Sequence, residues 1–150
     1  TSKVINTIKH NNLTNKYIFD VSVGPNFKHL NTLQDITPPS INIIQYPKSL
    51  IELFSNYDIA ITNGSITALE AAASGMPLIT IANEPHEIQT CKYLQQLNIA
   101  IFWNYHNIIS ETDHIPLDNI AANINSYSYN ALNKINLNGI YNIYNEIISL

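Results

Sequence analysis

Five short apolar runs punctuate the chain, and the stretches between them carry apolar residues three and four apart. The runs are Tyr17 to Val23, Ile41 to Gln45, Asp58 to Thr62, Leu78 to Ile81 and Ile99 to Trp103. Each has strand length and β-branched content, so each is predicted as a buried strand. The intervening stretches predict helices. Val4, Ile5 and Ile8 mark one near the start, and Leu30 and Leu33 mark the next. Leu50, Ile51, Leu53 and Phe54 give a helix over 48–56, and Ile88, Cys91, Tyr93, Leu94 and Leu97 give one over 88–98. Residues 104–116 are polar and read as loop. Two helices, 117–127 and 131–150, close the chain, the last with Leu132, Ile135, Tyr141, Ile143, Tyr144, Ile147 and Ile148, a stripe read as packing surface. Strand and helix in alternation predict an α/β domain with a parallel sheet.

The stretch from Asp58 to Ile81, DIAITNGSITALEAAASGMPLITI, organises the rest. Its first run is a strand, and Asn63-Gly64-Ser65 is turn chemistry. Thr67 to Ser74 is built largely of Ala, Leu and Glu, so it is a helix. Gly75 ends it and Pro77 forbids its return. Leu78 opens the next strand, which completes a βαβ unit. The turn admits two readings. Thr67 and Glu70 have the T-x-x-E spacing of a capping box, in which the Thr67 hydroxyl accepts from the Glu70 N–H and the carboxylate reaches back. Alternatively, a helix N-terminus behind a glycine turn offers free N–H groups and partial positive charge, and so holds phosphate. Ser65 and Thr67 would then add hydroxyl donors, and the Glu70 carboxylate could accept two hydrogen bonds from a vicinal diol such as a ribose. In open α/β sheets, ligands sit at the carboxyl ends of strands, where this turn lies.

The run from Asn63 to Glu70, followed by Ala71-Ala72-Ala73-Ser74-Gly75-Met76-Pro77, resembles the donor-sugar-nucleotide motif of the C-terminal half of GT-B glycosyltransferases. The nearest branches are the lipid-II-forming N-acetylglucosaminyltransferase and the nucleotide-sugar hydrolases of pseudaminic-acid and spore-coat polysaccharide pathways. The resemblance covers roughly residues 1 to 105, fading outward from the motif. It implies a Rossmann-like parallel sheet flanked by helices. It also implies that Gly64, Ser65 and Thr67 meet the diphosphate and that Glu70 binds the ribose. The ligand would be a nucleotide-diphosphate sugar of UDP type, with no further cofactor and no metal.

Other positions follow from the same resemblance. Val23-Gly24-Pro25-Asn26-Phe27-Lys28-His29-Leu30 is similar to the V-x-G-x-x-N-x-x-x-L turn of the hydrolase branch, which makes Gly24 and Asn26 candidate nucleotide-loop residues; a plain turn after a strand is the alternative. In the family, backbone groups just after the strand that corresponds to Ile41–Gln45 read the uracil edge. The matching position is Tyr46-Pro47, and proline has no N–H, so one base contact would be missing. Where the family places a sugar-touching Asn-Gln or Gln-x-x-Asn, this chain has His86-Glu87. Those side chains could hydrogen-bond sugar hydroxyls, or His86 could simply cap a helix at the surface.

Composition narrows the class. At 150 residues the chain is one domain's worth, enough for a real core. Net charge is −4, and all seven basic residues are Lys. That balance argues against nucleic acid and anionic membrane surfaces. Any phosphate must therefore be held by backbone N–H groups, hydroxyls and a helix dipole, with at most a Lys helping. The single cysteine, Cys91, excludes an internal disulfide and sits on an apolar helix face as a core residue. No apolar run approaches a membrane span and no signal peptide opens the sequence, so the expected setting is cytoplasmic. His10, His29, His106 and His114 show no mutual spacing that points to a site.

The family's domain opens with a strand and glycine turn that precede its first helix, and this sequence opens at the helix. The implied strand order is 41–45, 17–23, a vacancy, 58–62, 78–81, 99–103. The flanking strands could close up, a partner could supply a strand, or the family order could fail at this end. The acceptor-binding N-terminal half of such proteins, which supplies the catalytic base, is also expected in cis or in trans, and no catalytic residue is assigned. Residues 1–150 would then be one nucleotide-sugar-binding domain of a longer two-domain protein, a glycosyltransferase or a nucleotide-sugar hydrolase in surface-glycan synthesis. The competing expectation is a non-catalytic Rossmann-like module that has lost nucleotide binding. A response-regulator-like domain is a weaker third, since paired acidic residues after the first strand are missing.

Overall fold

The computed structural model describes residues 1–149. It is an α/β fold whose strands are all parallel, divided into a two-stranded and a three-stranded sheet. The strands are β1 (Phe19–Val23), β2 (Ile41–Gln45), β3 (Ala60–Asn63), β4 (Leu78–Ala82) and β5 (Ala100–Tyr105). The helices are α1 (Ser2–His10), α2 (Leu30–Ile36), α3 (Leu50–Phe54), α4 (Ile66–Ala73), α5 (Glu87–Gln96), α6 (Leu117–Ala121), α7 (Ile124–Lys134) and α8 (Gly139–Ile148). One sheet is β1-β2 and the other β3-β4-β5. All five predicted strands are present, and no backbone ladder joins β1 to β3. The vacancy expected between the 17–23 and 58–62 strands is therefore a physical gap, and the flanking strands have not closed up.

Packing follows from strand alternation. Successive residues of a strand face opposite sides, so Leu78 and Ala100 turn to one layer while Ile79 and Ile101 turn to the other. The first layer holds Phe54 of α3, the alanines Ala68, Ala71 and Ala72 of α4, Leu94 of α5 and Ala131 of α7. The second holds Ile8 of α1 with Ile115, Leu117 and Ile120 around α6. A third cluster, Ile5, Val23 and Leu33, seats α1 and α2 on β1. β4, apolar but for Thr80, is buried along its whole length, as the middle strand of a parallel sheet covered on both faces is. The alanine-rich face of α4 allows it to lie close against the sheet.

Gly75 ends α4 as anticipated. Its φ is +81°, Met76 N–H donates to the Ala71 carbonyl and Gly75 N–H to that of Ala72. Those two bonds make a Schellman motif, which needs a residue comfortable in the left-handed region. The C-terminal part differs from expectation. Three helices, α6, α7 and α8, replace the two predicted over 117–127 and 131–150. The break falls where Asn136 Oδ1 accepts from the Asn138 N–H at 2.8 Å, a local turn that competes with helix. The predicted final residue, Leu150, lies outside the described residues. Of the stripe read as packing surface, Ile135 packs against the first layer, whereas Leu132, Tyr141, Ile143, Tyr144, Ile147 and Ile148 are exposed. Among the described residues no helix is long and apolar enough to cross a membrane.

Candidate functional site

Within each sheet the strands run the same way, and Gly24 after β1, Pro47 after β2, Asn63 at the end of β3 and Asn83 after β4 line one cleft, so the carboxyl ends of the two sheets share one edge of the molecule. Gly24 follows β1, Tyr46 follows β2, Gly64-Ser65 follow β3, and His86-Glu87 follow the β4 loop, so these residues lie on or just beyond that edge. At its middle, between β1 and β3, opens a cleft of about 710 Å³. Gly24, Pro25, Pro47, Asn63, Thr67 and Asn83 line its mouth. Of the predicted residues, Gly24 and Thr67 are brought together in this cleft. Asn26, Tyr46, Gly64, Ser65, Glu70, His86 and Glu87 do not line it.

The β3–α4 turn is held from below. Gly64 is buried, and a Cβ there would lie 2.5 Å from Cys91 Sγ and 2.5 Å from the Glu87 carbonyl oxygen. This turn needs glycine because α5 approaches its backbone directly, while its φ lies outside the left-handed region. A chain of hydrogen bonds then fixes the turn to the neighbouring loop. Ser65 Oγ donates to Asn63 Oδ1 at 2.8 Å, Asn63 Nδ2 donates to Glu87 Oε1 at 2.7 Å, and Asn83 N–H donates to Glu87 Oε2 at 2.7 Å. Glu84 N–H adds a longer bond to the same Oε2 at 3.3 Å. Glu87 is 5 % exposed, and both its oxygens are engaged. Its carboxylate therefore organises the β4–α5 loop from within, while His86 stands exposed beside it.

Helix α4 begins at Ile66 with Ser65 as its N-cap, one residue earlier than predicted, and no side chain caps it. The Thr67–Glu70 capping box is thus not formed. Thr67 already lies inside the first turn with helical backbone, too far into the helix to serve as cap. Its hydroxyl has no partner among the described residues and lines the cleft. The Glu70 carboxylate, half-buried on the first turn, likewise makes no hydrogen bond among the described residues. Ser65 Oγ already donates its proton to Asn63, which leaves it an acceptor toward any ligand. The result is an uncapped helix N-terminus, with the backbone N–H groups of Ile66 and Thr67 open, at the reversal point of the strand order.

The other end of the mouth is less open. Tyr46 has φ +54° and its N–H donates to the Val23 carbonyl at 2.9 Å. With Pro47 lacking an N–H, neither residue after β2 offers a free backbone donor. Asp20 is the charged residue lining the cleft, and it accepts from Tyr57 Oη at 2.5 Å. That bond ties β1 to the connection between α3 and β3. Desolvation, helped by Asp20, pushes the Tyr57 phenol up to about 12. Burial likewise raises the Cys91 thiol, so it behaves as an inert core group. No cluster of His, Cys, Asp or Glu among the described residues is arranged to hold a metal ion.

Asn63 and Asn83 were missed as site-forming residues. The signal that could have found them is the second acidic position of Glu84-Pro85-His86-Glu87, which sits where a first-turn carboxylate reaches back to preceding N–H groups. Compared with protein-family models, curated proteins and solved structures, the chain matches none of them.

Proposed function

We propose that the edge centred on α4 binds the diphosphate and ribose of a nucleotide-diphosphate sugar, as the donor side of a GT-B-type glycosyltransferase or nucleotide-sugar hydrolase working in a cytoplasmic setting. The observation that carries this reading is the uncapped N-terminus of α4 beside the inter-sheet cleft. Backbone N–H groups there point at a site where the helix dipole favours an anion. The free Thr67 hydroxyl adds a donor, and the unpartnered Glu70 carboxylate one turn on suits a ribose diol. Gly64 keeps the turn low, and the Ser65–Asn63–Glu87 bonds hold it rigid. In a transfer reaction this helix end would stabilise the departing diphosphate. The acceptor and the catalytic base would come from another domain.

A second reading is favoured by particular bonds. Tyr46 N–H, the Ser65 hydroxyl proton and both Glu87 oxygens are already engaged within the protein. A Rossmann-like interaction module would keep all of these and bind no nucleotide.

Titration of the purified chain with UDP by calorimetry separates the two, with Glu70→Ala beside it. Since the Glu70 carboxylate makes no hydrogen bond among the described residues, the substitution should change stability by no more than about 0.5 kcal/mol. Saturable binding weakened at least roughly tenfold by Glu70→Ala would match loss of a charge-assisted bidentate contact. Binding indifferent to Glu70, or none by a cooperatively folded chain, goes against the nucleotide reading.

A further inference from the structure

The sequence holds two Asn-Gly pairs, Asn63-Gly64 and Asn138-Gly139. An asparagine before glycine is open to attack by its own backbone, because the next residue has no Cβ to bar the approach. The following amide nitrogen closes on the side-chain carbonyl carbon, and ammonia leaves. The reaction needs a mobile side chain and a free N–H, and the fold treats the two pairs oppositely.

Asn63 is held at every reacting group. Its Oδ1 accepts from Ser65 Oγ at 2.8 Å, and its Nδ2, the leaving group, donates to Glu87 Oε1 at 2.7 Å. The nucleophile, the Gly64 N–H, donates to the Ile81 carbonyl at 3.2 Å. With α5 packed directly on Gly64, the turn has no room to swing. An acid in place of the amide would also set a second carboxylate against that of Glu87. Asn138 has none of these restraints. It is exposed, and its side-chain amide makes no hydrogen bond among the described residues. A Cβ on Gly139 would meet nothing within 4 Å. Gly139 is the first residue of α8, so its N–H has no intrahelical partner. α8 is ten residues long with an exposed apolar stripe, too short to hold its helix by local bonds alone, so its first turn opens easily.

We propose that Asn138 is a self-modification site, converted from amide to acid by its own backbone and water, while Asn63 is spared. A bond forms between Gly139 N and Asn138 Cγ, and the Cγ–Nδ2 bond breaks. The departing nitrogen takes the proton lost from the Gly139 N–H and leaves as ammonia. Water then opens the five-membered imide at either carbonyl. One opening gives aspartate on a normal backbone, and the other gives isoaspartate, whose main chain runs through the side-chain carbon. Either product adds one negative charge to a net charge of −4, at a helix N-terminus whose dipole favours it. Isoaspartate also lengthens the backbone where the chain enters α8. The inference is independent of nucleotide binding.

Peptide mass mapping tests it. The purified chain is held in mildly alkaline buffer, sampled over time and digested, and the peptides around both asparagines are followed for the small mass gain of an amide turned acid. The Asn138 peptide should convert at least about tenfold faster than the Asn63 peptide. In concentrated urea, where the restraints on Asn63 are gone, the two rates should come within about threefold of each other. Asn138→Gln should remove the fast conversion and leave the slow one at Asn63 unchanged. Equal rates in the folded chain, faster conversion at Asn63, or a fast conversion that survives Asn138→Gln would overturn the proposal. So would a folded-state ratio that persists in urea, or an Asn138 that stays intact while the urea-unfolded chain converts.

Discussion

Gly64→Ala isolates the packing that holds the β3–α4 turn. The added carbon would sit 2.5 Å from Cys91 Sγ, 2.5 Å from the Glu87 carbonyl oxygen and 3.1 Å from Glu87 Cβ. The first two contacts are roughly an ångström inside ordinary van der Waals separation. Neither neighbour is a loose side-chain end. Cys91 is fully buried, and the Glu87 carbonyl belongs to the first turn of α5, whose side chain is tied to Asn63 and Asn83. Relief therefore requires α5 to move away, which loosens the Glu87 hydrogen bonds. Overpacking of this kind, with part of a buried network disturbed, should cost about 2–4 kcal/mol. For a domain of this size that lowers the melting temperature by roughly 5–15 °C. Urea denaturation followed by far-UV circular dichroism gives the free energy directly. Cys91→Ala removes one of the two obstructions but not the carbonyl. The double variant should therefore be less destabilised than the sum of the singles by roughly 0.5–1.5 kcal/mol, and still less stable than Cys91→Ala alone. A Gly64→Ala protein within about 0.5 kcal/mol of wild type, or strict additivity with Cys91→Ala, would refute the close approach of α5.

Two further outcomes follow from backbone and proton geometry. Gly75→Ala should cost about 1–2 kcal/mol because φ is +81° there, and Gly75→Asn should cost less because asparagine tolerates the left-handed region. Both substitutions meet exposed Leu132 alike, so equal costs in urea denaturation would transfer the effect from φ to that contact. For Tyr57, the folded pKa is raised to about 12, above the ordinary value of 10.0. Its neutral form is the favoured one in the fold, so its contribution is complete below about pH 10 and is lost as pH rises through about 12. The last phase of the phenolate absorbance titration should vanish in Tyr57→Phe, and the variant's stability relative to wild type should improve between those pH values. A Tyr57→Phe protein that keeps that phase would place the high-pH tyrosine elsewhere.

The fold was legible where apolar run length carried the information. Leu78 to Ala82 and Ile41 to Gln45 have strand length, β-branched content and no competing helical period, and they became strands at nearly the predicted bounds. Gly75 was legible because a glycine after an alanine-rich helix and before a proline has few other uses. The site was less so. T-x-x-E spacing is satisfied by any helix that contains it, and it does not say where the helix begins. The start is decided by Ser65, whose extended backbone precedes α4 and whose hydroxyl is drawn back to Asn63. Glu87 looked like a ligand-facing carboxylate because burial depends on the path of the β4–α5 loop, and no local pattern encodes that path. The α8 stripe shows the converse. An amphipathic helix announces an apolar face clearly, yet its period cannot say whether that face meets this chain or nothing within it.

The gap between the two sheets and the α4 helix end belong to one place. In an open α/β sheet the crevice lies where crossovers leave in opposite directions, and here that point falls between β1 and β3. The mouth of the cleft there is lined by Gly24, Asn63 and Thr67. Anion binding by α4 alone has one wall, and Asp20 deeper in the cleft disfavours a phosphate that slips inward. A diphosphate bound as proposed would therefore rest at the mouth, against the N-terminus of α4, and not inside the cleft.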